Sequence, residues 1–130
     1  MNVAVLGASD KPERYSYQAV KLLAQKGHTV FPVHPRLAAI DGMPVFSRLA
    51  DIPASLHTVT VYLGPKRSSA LAEDILASCA TRLIFNPGAE NPDLAERLRS
   101  VGIEVLDACT LVLLKTGQFE SLATSPYPRK

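Results

Sequence analysis

Ser9, Lys11, Arg14 and Ser16 crowd together between Gly7 and an amphipathic stretch that starts at Ser16. Two hydroxyls, two cations and the leading N–H groups of a helix would share the charge of a pyrophosphate. The same residues also read as a solvated basic loop. The loop lacks the dinucleotide fingerprint G-x-G-x-x-G, because only Gly7 matches and Ser9 and Pro12 stand at the other two places. A second cluster, His34-Pro35-Arg36, follows the next apolar run, and no acid appears until Asp41. A carboxylate there would accept from ribose hydroxyls, whereas an arginine suits a phosphate on the ribose. That pattern fits the 3′-phosphate of CoA or the 2′-phosphate of NADP, and NADP would make the chain an oxidoreductase or a redox sensor.

Cys109 stands after the last apolar run on the same expected side. A nucleophilic thiol needs a depressed pKa and usually a base beside it. None of His28, His34 and His57 is placed by the sequence beside Cys109, so this residue is expected to pack or to line a ligand. Thiol or thioester chemistry on a bound CoA is the alternative role. Cys79 falls on an apolar helical stripe and is expected in the core. The histidines lack metal-ligand spacing. His28 is expected at a helix exit, His57 on the surface before a strand, and His34 at the cleft edge, packing or bonding a phosphate. Glu90, Asp93 and Glu96 suit the first turns of a helix, and Glu90 is the carboxylate nearest the cleft. Tyr15 and Tyr17 flank Ser16, but aromatic residues make up only 6% of the chain, too few for a nucleic-acid stacking platform.

Strands and helices must alternate to bring these residues together. Val3 to Leu6, Thr29 to Val33, Thr58 to Leu63, Arg82 to Phe85 and Ile103 to Leu106 read as strands buried on both faces. Helices are expected from Ser16 to Lys26, with Ser16 as N-cap and Gly27 at the exit, and from Ser68 to Cys79. Another starts at Asn91-Pro92 and closes at Gly102, and a last one spans Thr110 to Thr116. Pro32 marks a strand end or an unpaired position. Between His34 and His57 no period is sustained; Asp41-Gly42 marks a turn, and Ser47 is expected to cap a short helical piece through Ala50. The alternation predicts an α/β, Rossmann-like, doubly wound parallel sheet of about five strands in a single domain. Ligands of such sheets bind beyond the carboxyl ends of the strands, where the strand order reverses.

With 130 residues the chain has room for one domain and a substantial core. Apolar residues at 47% and charged residues at 20% exclude a disordered chain or a fibre. A net charge of +2 suits an anionic small ligand better than a nucleic-acid track. Two cysteines do not make a disulfide framework. No apolar run approaches the length of about 20 residues that a span needs, and Asp10, Lys11 and Glu13 come too early for a signal peptide. A cytoplasmic protein without membrane or nucleic-acid partners is expected. Domain 1–123 would be followed by a flexible tail, 124–130.

The ordered set Gly7-Ala8-Ser9, Arg14 with Ser16-Tyr17, Val33-His34-Pro35, Ile40-Asp41-Gly42, Asn86-Pro87-Gly88-Ala89-Glu90-Asn91 and Cys109-Thr110-Leu111 resembles the small stand-alone CoA-binding proteins. That family is similar to the nucleotide-binding domain of the succinyl-CoA synthetase α subunit, and the resemblance runs from Val3 to Phe119. It implies that Gly7, Ala8, Ser9 and Arg14 hold the CoA phosphates. Val33 and Pro35 would border the adenine and ribose, with Arg36 near the 3′-phosphate. Leu63, Gly64 and Pro65 would line the nucleotide cleft, Asn86, Pro87 and Gly88 the path of the pantetheine, and Cys109 the ligand side. Members usually carry a helical lead before the first strand, whereas here the strand begins almost at Met1. The second domain of the ligase, with its phosphohistidine segment, has no counterpart. The resemblance therefore implies a CoA or acyl-CoA binding module without catalysis of its own, serving sensing, storage or presentation to a partner protein.

Overall fold

The structure is a computed structural model and describes residues 1–120. Five parallel strands form the main sheet: β1 (Asn2–Leu6), β2 (Thr29–Val33), β5 (Thr58–Val61), β6 (Arg82–Phe85) and β7 (Glu104–Asp107). Their spatial order is β2-β1-β5-β6-β7, so the order reverses between β1 and β5. A two-stranded hairpin of β3 (Ala39–Ile40) and β4 (Met43–Pro44) stands apart from it.

Side chains alternate across the buried strands and build two cores. Ala4, Leu6, Val59, Val61, Leu83 and Phe85 face one side, against Ala72 and Ile75 of α3 (Ala72–Ala77) and Leu94 and Leu98 of α4 (Pro92–Ser100). Val3, Val5 and Ile84 face the other, against Val20 and Leu23 of α1 (Tyr15–Gln25) and Leu113 and Leu114 of α5 (Thr110–Lys115). The doubly wound single-domain architecture follows from this division. The domain boundary expected after residue 123 lies outside the described residues. Among those described, no helix is long and apolar enough to cross a membrane.

Several local expectations need correction. Ser16 does not cap α1; Arg14 occupies the N-cap with extended backbone, and Ser16 is buried inside the first turn. Gly27 does take the left-handed exit conformation, with φ +87°. The single helix expected from Ser68 to Cys79 starts earlier and is two, because Pro65 opens α2 (Pro65–Ala70) and the chain kinks at Leu71 before α3. Cys79 is not a core residue: it leaves α3 at φ +53° with its side chain exposed. The aperiodic segment contains the β3–β4 hairpin, whose Asp41-Gly42 turn has positive φ at both residues as a type I′ turn requires. Ser47 caps nothing; the short 3₁₀ turn Leu49–Asp51 has Arg48 at its N-cap, and the Ser47 hydroxyl donates to Asp51 instead. Asn91 caps α4 as expected, its Oδ1 accepting from the Leu94 amide at 3.1 Å. Pro32 lies on edge strand β2, where its missing N–H is tolerated and its carbonyl accepts from the Phe46 amide.

Candidate functional site

All five strands run the same way, so the loops that follow them meet at one edge of the sheet. The loop after β1 is pinned to its neighbour, because the amides of Gly7 and Ala8 both donate to the Val33 carbonyl at 3.2 and 3.1 Å. Gly7 sits at φ +90°, and a Cβ there would come 2.9 Å from Leu63 Cδ2. The chain after β5 thus packs on the loop after β1 at the reversal of strand order. The Ser9 hydroxyl accepts from the Lys11 amide, and the exposed side chains of Lys11 and Arg14 have no partner among the described residues. The amides of Tyr15, Ser16 and Tyr17 meet no acceptor among the described residues. One cluster therefore presents a bare helix N-terminus and two free cations.

The loop after β2 is folded by its own histidine. His34 Nδ1 accepts from the Arg36 amide at 3.0 Å and from the Leu37 amide at 3.2 Å. Pro35 and Arg36 are exposed, and the guanidinium has no partner among the described residues. Further along, Tyr17 donates to Asp41 Oδ2 at 2.7 Å, and Lys21 pairs with the same oxygen at 3.1 Å. These two contacts tie the hairpin turn to α1. They hold the Asp41 carboxyl below the usual carboxylate range, the Tyr17 hydroxyl being the larger influence and Lys21 the smaller.

Asn86 is 2% exposed, and its side chain is fully engaged inside the protein. Its Nδ2 donates to Thr60 Oγ1 at 2.7 Å and to the Val61 carbonyl at 2.9 Å, and its Oδ1 accepts from the Thr110 amide at 2.8 Å. The Thr60 and Thr110 hydroxyls bond each other at 2.7 Å. This buried network fixes the ends of β5 and β6 to the start of α5. Pro87 and Gly88 are the exposed part of the loop, and Glu90 accepts from the Gly88 amide, so that carboxylate stabilises its own turn. Tyr62 stands over the network. Burial, with the neighbouring Cys109 as a smaller influence, raises its phenol above the ordinary tyrosine value. The Thr60 and Thr110 hydroxyls lie close enough to oppose that shift, yet the Tyr62 oxygen forms no hydrogen bond of good geometry.

Cys109 is a free, half-buried thiol at the N-cap of α5. It follows β7, whereas His34 follows β2 at the opposite edge of the sheet. After β7 the chain turns back over the sheet, since the Thr110 hydroxyl meets Thr60 of β5. His28 and His57 sit at the other end of the strands, bonded to Glu120 and Thr58 respectively. Among the described residues no cluster of three metal-ligating side chains forms.

The fourteen expected ligand residues, Gly7, Ala8, Ser9, Arg14, Val33, Pro35, Arg36, Leu63, Gly64, Pro65, Asn86, Pro87, Gly88 and Cys109, all lie at this one sheet edge. They divide into two groups. Gly7 to Arg14, Val33 to Arg36 and Leu63 to Pro65 surround the reversal point, while Asn86 to Gly88 follow β6, and Cys109 follows β7 just before Thr110 meets Thr60 of β5. Two concavities lie away from this edge, one between α1 and α5 and one beside the 3₁₀ turn. Sequence reasoning missed Tyr62, the Thr60–Thr110 pair and the capping role of His34. Thr60 carried a signal, since a hydroxyl in the middle of a strand buried on both faces needs a partner.

Comparison with known proteins bears on the same surface. A family model described as a CoA binding domain matches residues 1–115. The uncharacterized protein YneT of Bacillus subtilis is 28% identical over 111 residues, covering 85% of this chain and 82% of its own. A crystal structure of another uncharacterized protein superposes with a TM-score of 0.81 at 34% identity, covering 91% of this chain and 97% of that one. The cell-free ID.343 protein of Thermus thermophilus gives a TM-score of 0.83 at 25% identity, with 91% and 90% covered.

Proposed function

The chain belongs to the CoA-binding domain family, and from that premise we propose that it is a cytoplasmic module that holds CoA or an acyl-CoA without a catalytic step of its own. One observation carries the placement of the ligand. The N-terminus of α1 has no side-chain cap, its first three amides are unpaired, and Lys11 and Arg14 stand beside it with free charges. Such an arrangement favours an anion through the amides, the helix dipole and the cations together. The CoA pyrophosphate occupies this point, with Gly7 allowing close backbone approach. The adenosine lies towards Val33 and Pro35, its 3′-phosphate facing Arg36, and the pantetheine passes Leu63 to Pro65 towards Pro87 and Gly88.

The reading without catalysis is supported by the histidines: His34 Nδ1 accepts from the amides of its own turn, and His28 and His57 bond Glu120 and Thr58 at the other end of the strands, away from Cys109. Two free thiols suit a reducing compartment. An output in sensing, storage or presentation to a partner protein follows from binding alone. The test is an amide-resolved NMR titration of the chain with CoA. Shifts concentrated at Gly7 to Tyr17 and at Arg36, with the His28 and His57 amides still, are expected. Shifts confined to the other end of the strands, or to the α1–α5 groove, would overturn the placement.

A further inference from the structure

We infer that His34 is the positioning residue for Arg36, its imidazole acting as an N-cap that sets the cation where a ribose phosphate can reach it. This rests on the proposed CoA site. Pro35 supplies no N–H, so the turn after β2 has two amides to satisfy, those of Arg36 and Leu37. Both converge on His34 Nδ1, at 3.0 and 3.2 Å, and neither has another acceptor among the described residues. This is the pattern of an Asn or Asp side chain bonding the amides two and three residues on, carried out by a ring nitrogen. Two donors on Nδ1 put the ring proton on Nε2.

The rest of the loop is anchored independently. The His34 amide donates to the Phe46 carbonyl and the Phe46 amide to the Pro32 carbonyl, which fixes its base. Tyr17 and Lys21 hold Asp41 at the hairpin turn. Leu37 packs against the core beside α1, which fixes the far side of the Arg36 turn. The imidazole is thus the one contact that folds the exposed stretch between these anchors. Removing it frees Arg36 without loosening the scaffold.

The chemistry of the contact supplies the test. Asn Oδ1 and His Nδ1 are both bonded to Cγ, so Asn can accept from the same two amides, while Ala cannot. CoA and dephospho-CoA affinities are measured by calorimetry for the native chain, His34→Asn and His34→Ala. The native chain should prefer CoA, and His34→Ala should lower CoA affinity by about tenfold, the size of one charge-assisted hydrogen bond, while leaving dephospho-CoA binding nearly unchanged. His34→Asn should restore the preference. Equal losses for both ligands in His34→Ala would show a general structural role and overturn the inference, as would a preference that survives in His34→Ala or is missing in His34→Asn. If the native chain binds CoA and dephospho-CoA equally, the inference fails while the CoA site stands. If it binds neither, both fall.

Discussion

Gly7 and Leu63 close on each other at the point where the strand order reverses. A Cβ on Gly7 would lie 2.9 Å from Leu63 Cδ2 and 3.4 Å from the Leu63 amide nitrogen. The contact joins the loop of the proposed phosphate-holding residues to the one proposed to line the cleft beside it. Gly7 is also at φ +90°, a conformation that L side chains rarely adopt. Gly7→Ala should therefore cost about 1–3 kcal/mol of stability through backbone strain. The flexible Leu63 side chain can move aside, but the backbone cannot. Urea denaturation measures this, and an unchanged midpoint would show that the loop relaxes freely.

Asn86 is a structural residue within a functional loop. Asn86→Ala leaves the buried Thr110 amide without its acceptor, while Thr60 Oγ1 keeps the Thr110 hydroxyl and the Val61 carbonyl keeps the backbone amide of residue 86. Unsatisfied buried groups of this kind cost about 1–3 kcal/mol each. With one such group left unpaired by the change, the expected loss is roughly 1–3 kcal/mol. Chemical denaturation of the variant checks it, and a loss well under about 1 kcal/mol would mean that water replaces the amide.

The contact of Asp41 with Tyr17 and Lys21 should make stability depend on acid. Both partners hold the carboxyl below its ordinary value, so the contribution is present above the unfolded-state pKa and is lost as pH falls through the folded-state one. The native chain should exceed Asp41→Asn in urea midpoint near pH 6, and the difference should shrink towards about pH 3. Asn tolerates the φ of +48° at this position, so any offset from the turn itself should not vary with pH. A difference that stays constant across the range would contradict a carboxylate role. Asp41 and Lys21 are exposed and Tyr17 is half-buried, so added salt should weaken the charge part of the effect.

Arg14 offers a separate test of the phosphate placement. It is exposed and unpartnered, so Arg14→Ala should leave the unfolding midpoint unchanged. CoA affinity should fall by about 1–3 kcal/mol, the usual worth of a hydrogen bond from a charged group. Calorimetry of the variant decides it, and native affinity would remove Arg14 from the site.

Much of this architecture is legible in the chain because local signals agree with the global fold. Thr29–Val33 and Arg82–Phe85 are strands over the expected residues, and Asn91-Pro92 starts a helix as an N-cap followed by proline should. The misreadings arise where contacts distant in sequence decide. Arg82 opens an apolar strand, yet it is fully buried, donating to Thr58 Oγ1 and to the Phe119 carbonyl, with its guanidinium 4.4 Å from the Phe119 ring centre. Nothing near it in the chain announces Phe119. Cys79 fits a helical stripe, but α3 has ended by then and the residue turns outward. The strand ends point to the ligand-side segments, and the resemblance to the CoA-binding proteins names the expected ligand residues. Their division between ligand-facing and structural roles, as with Asn86, depends on Thr60 and Thr110 and could not be read from spacing.

The most direct measurement is a calorimetric titration of the purified chain with CoA, dephospho-CoA and NADP in parallel. Binding of CoA that weakens without the 3′-phosphate, with NADP much weaker, is the predicted result. Binding of NADP with CoA inert would contradict the account and assign the Arg36 loop to a different ribose phosphate.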